Sequence, residues 1–248
     1  MSYSLSQIVR ELAEPKLAEF TAKLIPTVDP ARILGVRMPA LRKLAKKLLR
    51  EHPQEVTEFM AAVPHDFQEE DLLHMLLLNE ERDFTTWHAG ITNFLPYMTN
   101  WILTDAVSPA CVKGGKAANL PQLEWACLDW LVDDRVYVQR LGTVVLMSLQ
   151  GTEYFSPEHL RAVAALAGSE EYYVRVAVAW YFAEALARQE HVALPWFALA
   201  DSSGDTDSPG LPAVTLRMAI TKAIESRRIS DELKTKLRQI RSTLPRRS

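Results

Sequence analysis

Residues 38–52 read "MPALRKLAKKLLREH", and their spacing decides the fold class. Leu41, Leu44 and Leu48 recur at helical intervals and form one apolar stripe, with Arg42, Lys43, Lys46 and Lys47 on the other side. Pro39 stands near the first turn, where its missing N–H removes no intrahelical hydrogen bond. The same periodicity runs outward in both directions. It is carried by "PQEVTEFMAAV" (53–63), "EEDLLHMLLLNEE" (69–81), "LPQLEWACLDWLV" (120–132) and "DRVYVQRLGTVVLMSL" (134–149). It continues through "SPEHLRAVAALAG" (156–168), "EEYYVRVAVAWYFAEALARQ" (170–189) and "PAVTLRMAITKAIES" (212–226), each bounded by Pro, Gly, Asp or Ser. Strand-like alternation between hairpin turns is absent, so an all-α protein is expected. Short connections imply antiparallel helix pairs. Pairs of roughly 40 residues match the period of HEAT-like or armadillo-like repeats, predicting a solenoid with a concave face.

At 248 residues, with 48% hydrophobic and 24% charged side chains, the composition is that of a soluble globular protein. A single domain over 1–248 is expected. The irregular segment "ADSSGDTDSPGLP" (200–212) is read as a surface loop within it, because helical patterning resumes beyond. The net charge of −3 hides segregation. From Arg32 to Arg50 stand seven basic residues and no acid, and a second basic run begins at Lys222. Stretches such as "HDFQEED" (65–71) hold opposing acids. A near-neutral chain of this kind is able to present a basic face to a polyanion, although a basic run also suits an ordinary solvated helix face.

Several function classes lack their anchors. Cys111 and Cys127 are the two cysteines, and with no secretory signal and no bilayer-length apolar run a cytoplasmic protein is expected. The six histidines form no metal-ligand spacing, so no metal is expected. "KGGK" (113–116) lacks the P-loop frame and reads as a helix-ending turn. No nucleophile elbow occurs.

One pair carries more information. In "NWILTDAVSP" (100–109), Trp101 and Asp105 lie one turn apart on the same helix face. "ILGVRMPALRKLAKKL" (33–48) precedes it, while "VYVQRLGTVVLM" (136–147), with Arg140, and "EEYYVRVAVAWYFAEAL" (170–186), with Trp180, follow. In this order the stretches resemble the AlkD-like DNA alkylation repair proteins, HEAT-like repeat alkylpurine DNA glycosylases. The resemblance runs from about Ile33 to Arg241. It implies that Trp101, Asp105, Arg140 and Trp180 contact the damaged nucleotide in duplex DNA. The aromatic expected near the second helix, around Leu24 to Pro26, has no counterpart there, and the 200–212 loop departs from the pattern.

These residue types suit that chemistry. A purine alkylated at N3 or N7 carries positive charge and leaves as a neutral base, so the barrier lies in the oxocarbenium character of the sugar. A carboxylate stabilises that charge and positions water, which is the role implied for Asp105. Trp101 and Trp180 offer π faces to the sugar and backbone, and the Arg140 fork suits a phosphate. No lysine falls among the four, so a monofunctional glycosylase without cofactor is expected rather than a lyase. Arg37, Arg42, Lys43, Lys46, Lys113, Lys116, Arg227 and Arg228 are expected to bind the phosphate backbone of a duplex holding alkylated purines, with the protein acting as a monomer. The alternatives are a catalytically silent relative that binds nucleic acid and a protein scaffold. Local readings also stay open, with Trp180 as core, Arg140 paired to Asp133 or Asp134, and Asp105 closing its own helix near Ser108.

Overall fold

The structure, a computed structural model, describes residues 5–113, 117–200 and 209–245. The fold is an all-α helical-repeat fold, and among the described residues the extended backbone pairs only in an isolated bridge between Leu199 and Leu211. The chain divides into two compact units, Met1–Asn119 and Leu120–Ser248.

Unit 1 contains α1 (Leu5–Arg10), α2 (Pro15–Leu24), α3 (Met38–Glu51), α4 (Pro53–Ala61), α5 (Gln68–Leu78), α6 (Phe84–Phe94) and α7 (Trp101–Asp105). Its central element is α5, whose residues are buried on every face. Helix α3 packs on α5 through the predicted stripe, and Leu41, Leu44 and Leu48 are buried. Each contributes about 2 kcal/mol in apolar burial. The basic side of α3 faces outward, as the spacing predicts.

The acids of "HDFQEED" are where expectation and structure part. Glu69, Glu70 and Asp71, which the sequence reading counts as charge opposing the basic run, are each 3% exposed at the start of α5. Each has a structural task that accounts for its burial. Glu69 accepts the backbone N–H groups of Leu34 (2.9 Å), Gly35 (2.7 Å) and Val36 (3.3 Å). Gly35 has φ +76°, and a Cβ there would lie 2.3 Å from the Ala18 nitrogen. The "LGV" motif is thus a left-handed turn pressed against α2 and closed by a buried carboxylate. Glu70 accepts from the Ser6 hydroxyl and from the backbone N–H groups of Asp66 and Phe67, both at 3.1 Å. Asp71 pairs with Arg32 at 3.2 Å. Buried acids enter the net charge without being displayed, so the formal value understates how basic the surface is.

Unit 2 contains α8 (Leu120–Leu131), α9 (Val136–Leu146), α10 (Pro157–Ala164), α11 (Tyr172–Arg188), α12 (Glu190–Ala193), α13 (Ala213–Glu225) and α14 (Asp231–Thr243). Helix α8 packs on α9, α9 on α11, α11 on α13 and α13 on α14. The close approach of α8 and α9 requires Gly142, where a Cβ would meet the Cys127 carbonyl at 2.8 Å. Behind α8, the buried His159 contacts Glu124 at 2.6 Å. Because its Nδ1 accepts from the Ser156 N–H at 3.3 Å, the ring proton lies on Nε2 and is donated to that carboxylate. Residues 201–208 of the acidic loop lie outside the described residues. Its flanks meet within unit 2, with Ala200 N–H on the Leu211 carbonyl at 3.1 Å.

Candidate functional site

Helix α7 has five residues, too few to persist on its own. It is held from both ends by amides at the two ends of α5, Gln68 in its first turn and Asn79 just past its last. At its start Asn100, fully buried, caps the Ile102 N–H at 3.0 Å. Asn100 and Gln68 exchange hydrogen bonds of 2.8 and 3.3 Å. Beyond its end, Asn79 donates to the Ala106 carbonyl at 2.8 Å and accepts the Ser108 N–H at 2.7 Å. The Asn79 carbonyl also accepts the Ala110 N–H at 2.7 Å. Gln68 and Asn79 stand roughly 16 Å apart along α5 at the helical rise per residue, so one buried helix sets the position of α7 and of the segment after it.

Trp101 and Asp105 are both half-buried on this helix. The Trp101 indole packs against Ile25, Val28 and Ile33, and its Nε1 donates to the Leu24 carbonyl at 2.9 Å. The indole is therefore anchored to the end of α2 rather than sealed in the core. The Asp105 carboxylate accepts from the Thr104 hydroxyl at 3.1 Å. Asn79 secures the backbone at Ser108. On α2 itself Phe20 is 58% exposed, an aromatic a few residues before the Leu24–Pro26 stretch where one was expected.

In unit 2, Trp180 is half-buried midway along α11, while Tyr181 and Phe182 beside it are fully buried. Those two rings fill the core, and Trp180 lies toward the accessible side. Arg140 on α9 is 3% exposed, and its Nη1 donates to the Tyr173 carbonyl at 2.8 Å, on the first turn of α11. Asp133 is engaged by Arg135, whose guanidinium meets it at 2.9 and 2.7 Å.

The structure also sorts the basic residues. Arg32 is directed inward, to Asp71, to the His65 carbonyl at 3.0 Å and to the Asp66 carbonyl at 3.0 Å, which removes it from the basic face. Arg37 forks onto Glu14 at 2.7 and 2.8 Å. That ion pair raises the Arg37 pKa and lowers that of Glu14, through the hydrogen bond first and charge next. Arg42 and Lys43 are exposed on α3, and Lys46 stands 4.0 Å from Glu80. Lys113 donates to the Ser108 carbonyl at 2.8 Å. Arg227 is exposed, and Arg228 pairs with Glu184. Lys116 lies outside the described residues. Among the described residues no group of three or more His, Cys, Asp or Glu is arranged to hold a metal ion, and no helix is long and apolar enough to cross a membrane.

Fold and site together define an all-α helical-repeat protein with basic outward faces and a half-exposed Trp–Asp pair on a braced short helix. The sequence model of the DNA alkylation repair enzyme family matches residues 5–222, and the chain belongs to that family. A role in DNA alkylation repair, with DNA as partner, follows from that membership. No curated protein matches the chain.

Sequence reading missed the bracing residues Gln68, Asn79 and Asn100. Asn100 was readable as a cap before "WILTD". Gln68 and Asn79 flank an apolar run and look like polar boundary residues, and only tertiary contact reveals that they are buried and partnered.

Proposed function

We propose that the protein is a monofunctional DNA glycosylase that hydrolyses the N-glycosidic bond of N3- or N7-alkylated purines in duplex DNA. The observation that carries this reading is α7. A carboxylate and an indole, both half-buried, are fixed one turn apart by a buried amide network that leaves little freedom to reorganise. Such a pair suits a reaction whose charge develops on the sugar, because a preplaced carboxylate stabilises an oxocarbenium-like centre without moving. In this reading Asp105 supplies the charge and positions water. Trp101 and Trp180 offer ring faces to sugar and backbone, while Arg140, buried and bonded to the Tyr173 carbonyl, does not reach a phosphate and acts as a positioning residue for the start of α11. Phe20 adds an aromatic contact from α2. Arg42, Lys43, Lys46, Lys113, Lys116 and Arg227 bind the backbone, with Arg37 and Arg228 acting through their existing ion pairs. The protein acts as a monomer in the cytoplasm, and its HEAT-like repeats take the duplex.

The test is release of 7-methylguanine and 3-methyladenine from methylated duplex DNA at low salt, comparing wild type with Asp105→Asn. Release should fall about a hundredfold or more in the variant, the scale of losing one preorganised electrostatic group. No release by wild type while it binds the duplex would make the chain a silent relative.

A further inference from the structure

The wall of unit 1 formed by α3 and the segment following α7 encloses a cleft of about 420 Å³, lined by Arg42, Lys46, Asn79, Glu80, Ser108 and Lys113 among others. Arg42 and Lys46 stand one turn apart on α3 and share an edge of that helix. Lys113 approaches from the other side, its ammonium placed by the 2.8 Å bond to the Ser108 carbonyl. The backbone on that side is rigid before any ligand arrives, because Asn79 holds Ala106, Ser108 and Ala110 through three hydrogen bonds. Three cations therefore converge on one space, and the carboxylate among the lining residues is Glu80, 4.0 Å from Lys46. Lys43 and Lys47 sit about 100° further round α3 and do not line the cleft.

We propose that this cleft is a cradle for a single phosphodiester of duplex DNA, gripped jointly by Arg42, Lys46 and Lys113. The inference rests on the reading that the chain acts on DNA, and it assigns one phosphate to one place. The volume exceeds that of a phosphate group and accommodates the adjoining sugars. Preorganised walls avoid the ordering cost of closing a loop on the ligand. The cleft also begins one residue after Asp105, with Ala106 in its lining. A phosphate held there registers the strand against α7, since backbone contacts fix position and leave sequence unread.

Binding of an unmodified duplex, measured by fluorescence anisotropy across a salt series, tests this. In the triple variant R42Q/K46Q/K113Q the slope of log K against log salt should shrink by about 0.9, the loss of one phosphate contact. Each single variant should lose only a small part of that, because the two remaining cations still neutralise the same phosphate. K47Q should keep the wild-type slope, and E80Q should bind more tightly at low salt with no risk to the apolar core. An unchanged slope in the triple variant, with its circular dichroism spectrum intact, overturns the cradle. Additive single losses summing to about 2.7 overturn the joint grip, since they mean three separate phosphates. Inorganic phosphate at matched ionic strength is the second arm. If the triple variant loses that competition but keeps its duplex slope, the site takes a free anion and the proposal fails. Base release is read separately, so a protein that shows the slope change but releases no base keeps the cradle and loses the glycosylase reading.

Discussion

Asp71→Asn should change how the stability of unit 1 depends on pH. The Asp71 side chain is 4% exposed, and burial pushes its carboxyl up to about 7 even though Arg32, 3.2 Å away, opposes the shift. One turn on, burial pushes His74 down to about 3, with the neighbouring His65 adding to the effect across a 2.9 Å contact. The two groups act in opposite senses. Between the ordinary Asp value of 3.8 and about 7, the folded state keeps a proton that the unfolded chain has lost, so the Asp71 contribution falls as pH rises. From 6.5 down to about 3 the unfolded chain takes up a proton that folded His74 refuses, so its contribution falls as pH drops. Each slope approaches about 1.4 kcal/mol per pH unit. They overlap between roughly pH 4 and 6.5, where Asp71 offsets much of the acid sensitivity that His74 and His65 impose. Asparagine removes one side of that balance while Arg32 keeps the His65 and Asp66 carbonyls as partners. Relative to wild type the variant should gain about 4 kcal/mol between pH 4 and 8, and its own stability should drop steeply below pH 6.5. Urea unfolding followed by circular dichroism at pH 4.5, 5.5, 6.5 and 7.5 measures both curves. Parallel curves for the two proteins would refute the reasoning, since they would mean that Asp71 titrates alike in the folded and unfolded states.

Two further substitutions probe the elements that set the site. Glu69→Gln replaces one carboxylate oxygen with an amide that meets a backbone donor and weakens the remaining bonds to residues 34–36. A cost of about 3 kcal/mol is expected, with hydrogen exchange at those amides faster by about two orders of magnitude; unchanged protection would show that the turn does not depend on the carboxylate. Gly142→Ala should lower the melting temperature although alanine favours helix, because the new methyl group meets backbone atoms at 2.8 and 3.1 Å and overpacking costs about 1–3 kcal/mol. Gly168→Ala, with nothing within 4 Å of the added carbon, is the control, and equal behaviour of the two variants would rule out the steric account.

Much of this protein was legible in one dimension. The helices follow from apolar spacing: the stripe of α3 and the runs that became α8, α9, α11 and α13 are where the pattern put them, because side-chain direction repeats with the helical turn whatever the helix later packs against. The ordered motifs around Trp101, Arg140 and Trp180 pointed to the family whose sequence model matches residues 5–222. The acids of α5 were not legible. A run of Glu-Glu-Asp beside basic helices looks like solvated charge, and only when the backbone turn at Gly35, the Arg32 guanidinium and the Ser6 hydroxyl are brought to it does its burial become favourable. The same holds for Gln68 and Asn79, whose partners lie 32 and 27 to 31 residues away in the chain. Local periodicity determines which residues form helices and which face is apolar. Which polar groups are buried, which cations stay outward and how firmly a five-residue helix is held depend on contacts between distant segments, which exist only once the chain has folded.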